Sequence, residues 1–353
     1  MVKRRKTRSI KVRSVVIGSR TPVSVQSMTK VATTDIKRCV RQVKQLVNAG
    51  CDLVRIAVPT RNDTIAFKSI VEQVKVPLIA DIHFSPDRAV EAIEAGAAKI
   101  RLNPGNIKAV RDIKRIIDCA KAHSAAIRIG VNEASIRDLK KNPVPLSRRV
   151  NVMLRELTRY VRLFEKYGFD RLVLSAKSTD TCRTIEVNQR ISEIFDYPLH
   201  LGLTHAGLPE DAAVSSAVAL GALLAQGIGD TIRVSMAGNP VAEARLARDI
   251  LIPLGLTQRN EPELVVCPTC GRTSINVVRL AKTIKRGLKG VTVPVRIAVM
   301  GCVVNGPGEA ADADLAVCAG KEKAFLYRQG RRIAVVEEDK LVGAIQAEID
   351  LWE

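Results

Sequence analysis

Aromatic residues and long hydrophobic runs are both scarce in this chain. Aromatic residues account for 3% of its 353 positions, although hydrophobic residues as a whole reach 46%. A core with so few aromatics must be built from valine, isoleucine, leucine and alanine, which is typical of parallel α/β proteins whose covered strands are aliphatic runs. No hydrophobic run has the length that a membrane span needs, so we expect none.

A signal-peptide core and a regular cysteine pattern are also missing. No apolar segment follows the basic start of the chain, and the eight cysteines are irregularly spaced. These absences argue against a secreted disulfide framework and favour a reduced protein in the cytoplasm.

Acidic residues are absent from the start of the chain, where none precedes Asp35. Lysine and arginine crowd the segment up to Arg13, and the formal net charge of the chain is +20. A basic arm of this kind is compatible with nucleic-acid binding, but no binding motif or row of aromatic side chains accompanies it. A solvated surface, or a field that steers anionic substrates and an acidic electron donor, explains the arm better.

Short aliphatic segments alternate with amphipathic ones between residues 23 and 238. The aliphatic segments predict eight strands, at residues 23–28, 53–58, 77–82, 99–103, 126–131, 171–176, 198–203 and 231–236. The amphipathic segments between them predict helices, among them one at residues 154–166. Eight such units over about 250 residues indicate a TIM (β/α)8 barrel. A doubly wound open sheet is the competing architecture, but eight units close a barrel, and neither phosphate-loop fingerprint is present.

The pattern changes after a segment at 253–262 that reads as a linker. Beyond it we predict a strand leading into Cys267, a helix at 275–288 and strands at 295–300 and 314–318. A hairpin at 324–336 that turns at Gln329-Gly330 and a helix at 337–351 complete the predicted elements. We therefore expect a TIM-barrel domain at 1–254 and a small α+β domain at 255–353.

Polar and charged side chains recur where the predicted barrel strands end, and these ends form the active site of a TIM barrel. They are Arg55, Asp81, His83, Arg101, Asn103, Arg128, Asn132, Ser175, Lys177, His205, Arg233 and Ser235. Buried cations need an anionic partner, and guanidinium groups bind phosphate oxygens in pairs. Five cations at one end therefore indicate a diphosphate ligand. Any single arginine could instead pair with a neighbouring carboxylate, and either histidine could be a satisfied core residue.

Three cysteines in the C-terminal part have the spacing of metal ligands. Cys267 and Cys270 form a CxxC pair, and Cys302 opens a glycine-rich segment that Glu309 closes. Two thiolates at this spacing and a third from a separate strand fit an iron–sulfur cluster, and Glu309 would be an exchangeable oxygen ligand that leaves one iron accessible to substrate. The alternatives are structural zinc with Cys318 as a fourth ligand and a thioredoxin-like redox pair; the spacing favours iron–sulfur.

Six segments together resemble the (E)-4-hydroxy-3-methylbut-2-enyl diphosphate synthase family in its bacterial two-domain form. They are VQSMT at 25–29, ADIHF at 80–84, IRLNPGN at 100–106, IRIGVN at 127–132, CPTCGRT at 267–273 and GCVVNGPGE at 301–309. They span nearly the whole chain in order, and the two segments that contain cysteines are the most specific.

The resemblance implies an iron–sulfur oxidoreductase of the methylerythritol phosphate route to isoprenoids. Such an enzyme opens and dehydrates the cyclic diphosphate 2-C-methyl-D-erythritol 2,4-cyclodiphosphate with two electrons from flavodoxin or ferredoxin. It also implies a homodimer in which the cluster domain of one subunit covers the barrel of the other.

The resemblance further assigns roles to particular residues. The 4Fe-4S cluster would be held by Cys267, Cys270, Cys302 and Glu309. The diphosphate would be bound by Arg55, Arg101, Arg128, Lys177, Arg233 and Ser235, with Asn132, His83 and His205 as supports. Glu309, Asp81 and His83 are the candidates for catalytic roles, Asp81 through proton transfer.

Two other classes of function remain open from the residues alone. A TIM-barrel lyase or aldolase acting on a phosphorylated substrate could carry a structural zinc domain, with Lys177 forming a Schiff base. A nucleic-acid-binding protein would use the basic arm, which is not part of the family resemblance.

Overall fold

A computed structural model shows two compact units, Met1–Thr257 and Gln258–Glu353. The structure describes residues 2–103, 106–107, 109–136, 144–204, 206–273, 275–302, 308, 311–320 and 323–352. The boundary predicted from the sequence lay after residue 254, in the same linker. Each unit has its own hydrophobic core.

The first unit is built on a ring of parallel strands. A hairpin of β1 (Ile10–Val12) and β2 (Val15–Ile17) precedes β3 (Ser24–Met28), β4 (Leu53–Ala57), β5 (Leu78–Asp81), β6 (Lys99–Leu102), β7 (Ala126–Asn132), β8 (Leu172–Lys177), β9 (His200–Leu201) and β10 (Thr231–Ile232). The sheet order is β8-β7-β6-β5-β4-β3-β10-β9. A parallel bridge between Leu174 and Leu199 joins the two ends of this sheet. The predicted TIM barrel is therefore confirmed.

Helices follow the barrel strands in turn and cover the outside of the ring. They are α1 (Ile36–Asn48), α2 (Arg61–Gln73), α3 (Pro86–Glu94), α4 (Val110–Ala122), α5 (Leu146–Lys166), α6 (Thr181–Ile194), α7 (Pro209–Ala225) and α8 (Pro240–Leu251). Several of these helices begin within a few residues of the preceding strand, and a side chain that caps the first turn fixes the residue at which they begin. Thr60 and Asp63 form a reciprocal capping box at α2, and Asp180 accepts from the backbone N–H of Arg183 at α6.

Three elements differ from the sequence-based prediction. Helix α5 begins at Leu146 instead of residue 154, because Pro145 precedes a continuous amphipathic pattern. Strands β9 and β10 are only two residues long. Arg233 and Ser235 therefore lie just beyond a strand and not within one.

The β1–β2 hairpin closes the N-terminal end of the barrel, and the sequence analysis missed it. Ile10, Val12 and Ile17 pack against the first residues of the barrel strands, among them Leu53 and Val173. The hairpin is short, and Arg13 in its turn has a φ of 52°. It therefore seals one end of the barrel with aliphatic side chains and leaves the other end for the charged residues.

The start of the basic arm lies against the barrel, so the expectation of a solvated arm was wrong for Arg4 and Arg5, whereas Arg8 and Arg13 are exposed. Arg4 donates to a carboxylate oxygen of the buried Asp230 at 2.8 Å. Arg5 donates to the carbonyl oxygens of Ser192 and Tyr197, each at 2.9 Å. These partners are separated from Arg4 and Arg5 by about 190 residues or more of the chain, so no local sequence pattern could predict the contacts. The arm acts as a strap across the base of the barrel.

The second unit is a small α+β domain with one five-stranded sheet. It contains β11 (Glu263–Val266), α9 (Val277–Gly287), β12 (Arg296–Met300), β13 (Leu315–Ala319), β14 (Lys323–Arg328), β15 (Arg331–Glu337) and α10 (Leu341–Asp350). Strands β11, β12 and β13 are parallel, and β13, β14 and β15 are antiparallel. The predicted hairpin turn is confirmed, because Gln329 and Gly330 both have positive φ. No helix in the described ranges has both the length and the hydrophobicity to span a bilayer.

We predict that Asp230→Ala lowers the free energy of unfolding by about 3 kcal/mol, because it leaves buried donors without a partner. Asp230 is 2% exposed and accepts from Arg4, from Thr7 and from the backbone N–H of Leu199. Urea denaturation measures the change. The control Asp196→Ala removes the exposed partner of Arg8 and should cost less than about 1 kcal/mol. Equal effects of the two substitutions would contradict the strap.

Candidate functional site

Five cations from different barrel strands meet at the C-terminal end of the barrel. Arg101 on β6 is paired in register with Arg128 on β7 and with Asp81 on β5. Arg55 comes from β4, Lys177 ends β8 and Arg233 follows β10. Residues two apart on a strand share one face, so the charged side chains of β6 and β7 point into the barrel. The alternation predicted from the sequence thus brings these residues together.

The site holds more positive than negative charge. The side chains of Arg55, Arg101 and Arg233 are at most 12% exposed, and Arg128 and Lys177 are buried. Within the described part of the site, only Asp81 and Glu243 are within salt-bridge distance of these cations.

Asp81 lies between two arginines and a histidine. Its carboxylate is 3.9 Å from Arg55 Nε, 3.7 Å from Arg101 Nη1 and 3.2 Å from His83 Nε2. Burial alone would raise the pKa of Asp81, but Arg55, the hydrogen bond from His83 and Arg101 together hold it below its usual value. Asp81 therefore remains ionised at neutral pH.

Glu243, on helix α8, is the second carboxylate of the site, and the sequence analysis did not single it out. It lies 3.6 Å from Arg233 Nη2 and 2.8 Å from Lys30 Nζ, and it accepts a hydrogen bond from Ser27 at 2.9 Å. Burial and then Arg55 lower the pKa of Arg233 to about 10, against the opposing effect of Glu243. Glu243 lies on a helix, so the search for polar residues at strand ends did not find it.

Two glycines leave the space that the cations occupy. A Cβ atom at Gly130 would lie 3.3 Å from Arg128 Nη2 and 3.7 Å from Arg101 Nε. A Cβ atom at Gly202 would lie 2.5 Å from Lys177 Nζ and 2.4 Å from the carbonyl oxygen of Arg233. A larger residue at Gly202 would therefore displace the lysine.

Neighbouring cations destabilise one another inside the barrel. Burial first, then Arg55 and Arg101, lower the pKa of Arg128 well below its ordinary value. Burial first, then Arg128 and Arg233, do the same to the pKa of Lys177. The Nε and Nη1 atoms of Arg128 are buried and have no hydrogen-bond partner among the described residues. A multiply charged anion would supply both the missing charge and the missing acceptors.

A second polar layer lies deeper in the barrel, and the sequence analysis missed it. Lys99 precedes Arg101 by two residues on β6, and His200 begins β9; both are fully buried. Burial, then Arg128 and Arg55, lower the pKa of Lys99 to about 7. The same two-residue alternation that identified Arg101 and Asn103 would have found Lys99.

A buried glutamate ties two of the site strands together. Glu133, directly after β7, accepts hydrogen bonds from Ser178, which follows β8, and from Arg149 at 2.7 Å and Arg183 at 3.2 Å. Ser178 directly follows Lys177, and Glu133 directly follows Asn132. Lys177 and Asn132 are predicted substrate-binding residues and are paired in register between β8 and β7. This network holds the ends of the two strands in place.

Of the remaining predicted residues of the barrel, Asn103 and Ser175 are buried, whereas Ser235, Asn132 and His83 are less enclosed. Ser235 and Asn132 are partly buried, and the His83 side chain is 53% exposed. His83 is therefore not a buried core histidine, and its contact is with Asp81. His205 lies outside the described residues.

The cysteine segments lie at one edge of the second unit's sheet. Cys267 follows β11 and extends its pairing, because its backbone N–H donates to the carbonyl oxygen of Val299 on β12 at 2.9 Å. Cys302 lies two residues beyond the end of β12. Since β11 and β12 are parallel neighbours, both cysteines leave the same edge. Glu309 lies outside the described residues.

The segment that carries Cys270 is held close to the end of β12. Thr273 accepts from the backbone N–H of Cys270 at 3.0 Å, and a Cβ atom at Gly301 would lie 2.9 Å from the Thr273 side chain. The backbone N–H of Arg272 and then its side chain lower the pKa of the exposed Cys270 thiol. The thiolate that metal binding needs is therefore favoured at Cys270.

Cys318 differs from the other three cysteines. It lies within β13, is fully buried, and is paired in register with Met300 and Phe325. Burial raises its pKa to about 11, so its thiol stays protonated at neutral pH. This environment is that of a core residue and disfavours Cys318 as a fourth zinc ligand.

Solved structures with a similar backbone include dihydropteroate synthases. The enzyme from Stenotrophomonas maltophilia superposes with a TM-score of 0.51 at 15% sequence identity, covering 68% of this chain and 96% of the other. That from Xanthomonas albilineans, in complex with 7,8-dihydropteroate, also gives 0.51, at 18% identity and with the same coverage. At this identity the likeness concerns the barrel fold alone.

Sequence comparison covers almost the whole chain. The GcpE TIM-barrel domain matches residues 7–248, and the GcpE protein C-terminal domain matches residues 263–351. Proteins named 4-hydroxy-3-methylbut-2-en-1-yl diphosphate synthase (flavodoxin) are 43% identical in Desulfotalea psychrophila, over 99% of this chain and 96% of the relative, and 42% identical in Persephonella marina, over the full length of both. With both domains matched in order and this identity from end to end, the chain belongs to the GcpE family.

Proposed function

We propose that this protein reductively opens 2-C-methyl-D-erythritol 2,4-cyclodiphosphate and releases (E)-4-hydroxy-3-methylbut-2-enyl diphosphate. The observation that carries the proposal is the group of five buried or largely buried cations opposed by two carboxylates, in a chain of the GcpE family. With all phosphate oxygens counted as protonated, the reaction takes up two electrons and two protons and releases one water. This reaction belongs to the methylerythritol phosphate route.

The barrel residues bind and orient the diphosphate in this proposal. Arg101, Arg128 and Lys177 are the buried members of this group, so we place the most strongly charged part of the ligand against them. Arg55, Arg101 and Arg233 contribute planar donors around it. Asn132, Ser235, His83 and His205 keep the supporting roles that the resemblance implies. A ligand fixed at this many points presents its reacting carbon in one orientation.

Asp81 is better suited to holding cations than to donating a proton. Its lowered pKa keeps it ionised, and it lies between Arg55 and Arg101. We propose that Asp81 and Glu243 position the arginines before the diphosphate binds. The reaction's protons would then come from another group or from water.

Cys267, Cys270 and Cys302 would hold a 4Fe-4S cluster, with Glu309 as the fourth ligand. Cys267 and Cys302 lie at the same end of two neighbouring parallel strands, and Cys270 lies on a segment close to that end and has a lowered pKa. These positions support three thiolate ligands. When bound, the cluster supplies low-potential electrons for cleavage of the carbon–oxygen bond. This set fits iron–sulfur better than zinc, because Cys318 is fully buried within β13 among core residues.

The electron donor and the oligomeric state follow from the relatives and from the family resemblance. Flavodoxin is the donor in the relatives' names, and ferredoxin is the alternative that the family resemblance implies. A homodimer also remains a prediction, which analytical ultracentrifugation of the purified protein would check.

We predict that Arg233→Ala raises the KM for the cyclic diphosphate about a hundredfold, because it removes a buried, charge-assisted contact. Iron content should equal that of the unchanged protein, since Arg233 lies in the barrel. Inorganic pyrophosphate should raise the melting temperature of the unchanged protein more than that of the variant. The control Arg245→Ala alters an exposed arginine of α8 and should leave the KM as it is. Loss of iron from Arg233→Ala would show that its role is misassigned.

We predict that Cys302→Ser abolishes bound iron and acid-labile sulfide, because a hydroxyl is a poor ligand for a soft cluster. Absorption near ~410 nm should disappear with the metal. The paired control is Cys318→Ala, which should keep both the iron and the absorption. Zinc without sulfide in the unchanged protein, or loss of metal from Cys318→Ala, would favour a zinc domain instead.

A further inference from the structure

A long stretch of the second unit contains no acidic residue. Between Glu263 and Glu309 the chain has seven lysines and arginines and no aspartate or glutamate. This stretch includes all three cysteines proposed as cluster ligands. Helix α9 lies in its middle and contributes four of the cations, Arg279, Lys282, Lys285 and Arg286, and Lys289 lies two residues beyond its end.

These five cations share one side of the helix. At about 100° per residue they fall within an arc of about 120°. All five are exposed. The opposite side, formed by Val277, Leu280, Ala281 and Ile284, is buried in the core of the unit. We call the exposed set the cationic face of α9.

The stability of the helix does not explain this face. Cations on one side of a helix repel one another, and those in its first turns are also disfavoured by the helix dipole. Only Lys285 and Arg286, in the last turn, gain from that dipole. Arg279 has a carboxylate partner, Glu338 at 2.9 Å, but Lys282, Lys285, Arg286 and Lys289 form no ion pair within the described residues.

The first turn of α9 lies next to the cysteine segments, so the cationic face begins close to them. Val277, in the first turn of α9, would contact a Cβ atom at Gly301, the residue before Cys302. Arg272 lies one residue before Thr273 and donates to the Cys270 thiol, so positive charge continues from the helix to a proposed ligand. A protein that docked on α9 would therefore be close to the place where electrons must enter.

We propose that the cationic face of α9 is the docking surface for an acidic one-electron carrier protein of the flavodoxin class. The inference rests on the proposed function, because that function requires such a carrier. Each encounter passes one electron from the carrier, which is oxidised, so two carriers are consumed for each substrate reduced. Complementary charge accelerates encounter and selects acidic partners.

The test is the double variant Lys282→Glu with Lys285→Glu on α9. Its control is a double variant on the barrel that reverses the same number of charges, Lys44→Glu with Lys68→Glu. All four lysines are exposed, and the two variants change net charge equally. We expect the α9 variant to raise the KM for reduced flavodoxin about tenfold and to lose most of its dependence on ionic strength. Its iron content and its turnover with dithionite, a small reductant that needs no docking surface, should match those of the unchanged protein.

An unchanged KM for flavodoxin in the α9 variant, or an equal rise in the barrel variant, would overturn the docking proposal. Absence of turnover by the unchanged protein with either reductant would overturn the proposed function instead. In that case calorimetric binding of flavodoxin to the unchanged protein and to both variants still decides the docking surface.

Discussion

The excess of buried positive charge at one end of the barrel constrains the rest of the first unit. Cations held out of water without enough carboxylates each carry a penalty of several kcal/mol, whereas a folded domain is stable by only about 5–15 kcal/mol. The aliphatic core outside the ring must offset this penalty in the absence of ligand. The diphosphate then removes it, so binding and folding are coupled through the same electrostatic repulsion.

The opposite end of the barrel reflects the same constraint. A TIM barrel is ordinarily filled by branched aliphatic side chains, but here Lys99 and His200 occupy interior positions. An interior this polar needs a dry seal below it, and the β1–β2 hairpin supplies one with Ile10, Val12 and Ile17. The arginines of the arm fasten the segment before that hairpin to the barrel. The strap, the seal and the charged end therefore form one arrangement.

Local periodicity predicted the parts of the site that lie on strands. Arg101 and Arg128 could be predicted because alternate residues of a strand share a face and strand ends meet at one edge. Glu243 could not, because it lies on a helix, where strand alternation gives no sign of its contact with Arg233. The hydrogen bonds of Arg4 and Arg5 were equally hidden, because their partners are distant in sequence. The roles of Glu309 and His205 rest on the sequence and the family resemblance, because both lie outside the described residues.

The two units use the same residue types in physically different ways. In the barrel the cations are buried, so their attraction for an anion is weakly screened and is fixed in direction by the surrounding packing. On α9 they are exposed, where salt at physiological strength screens charges beyond about 8 Å. The first arrangement suits tight, oriented binding of a small ligand that reacts. The second suits brief encounters with a protein that must dock, transfer an electron and leave. Such rapid exchange is needed because the reaction takes two electrons and each carrier delivers one.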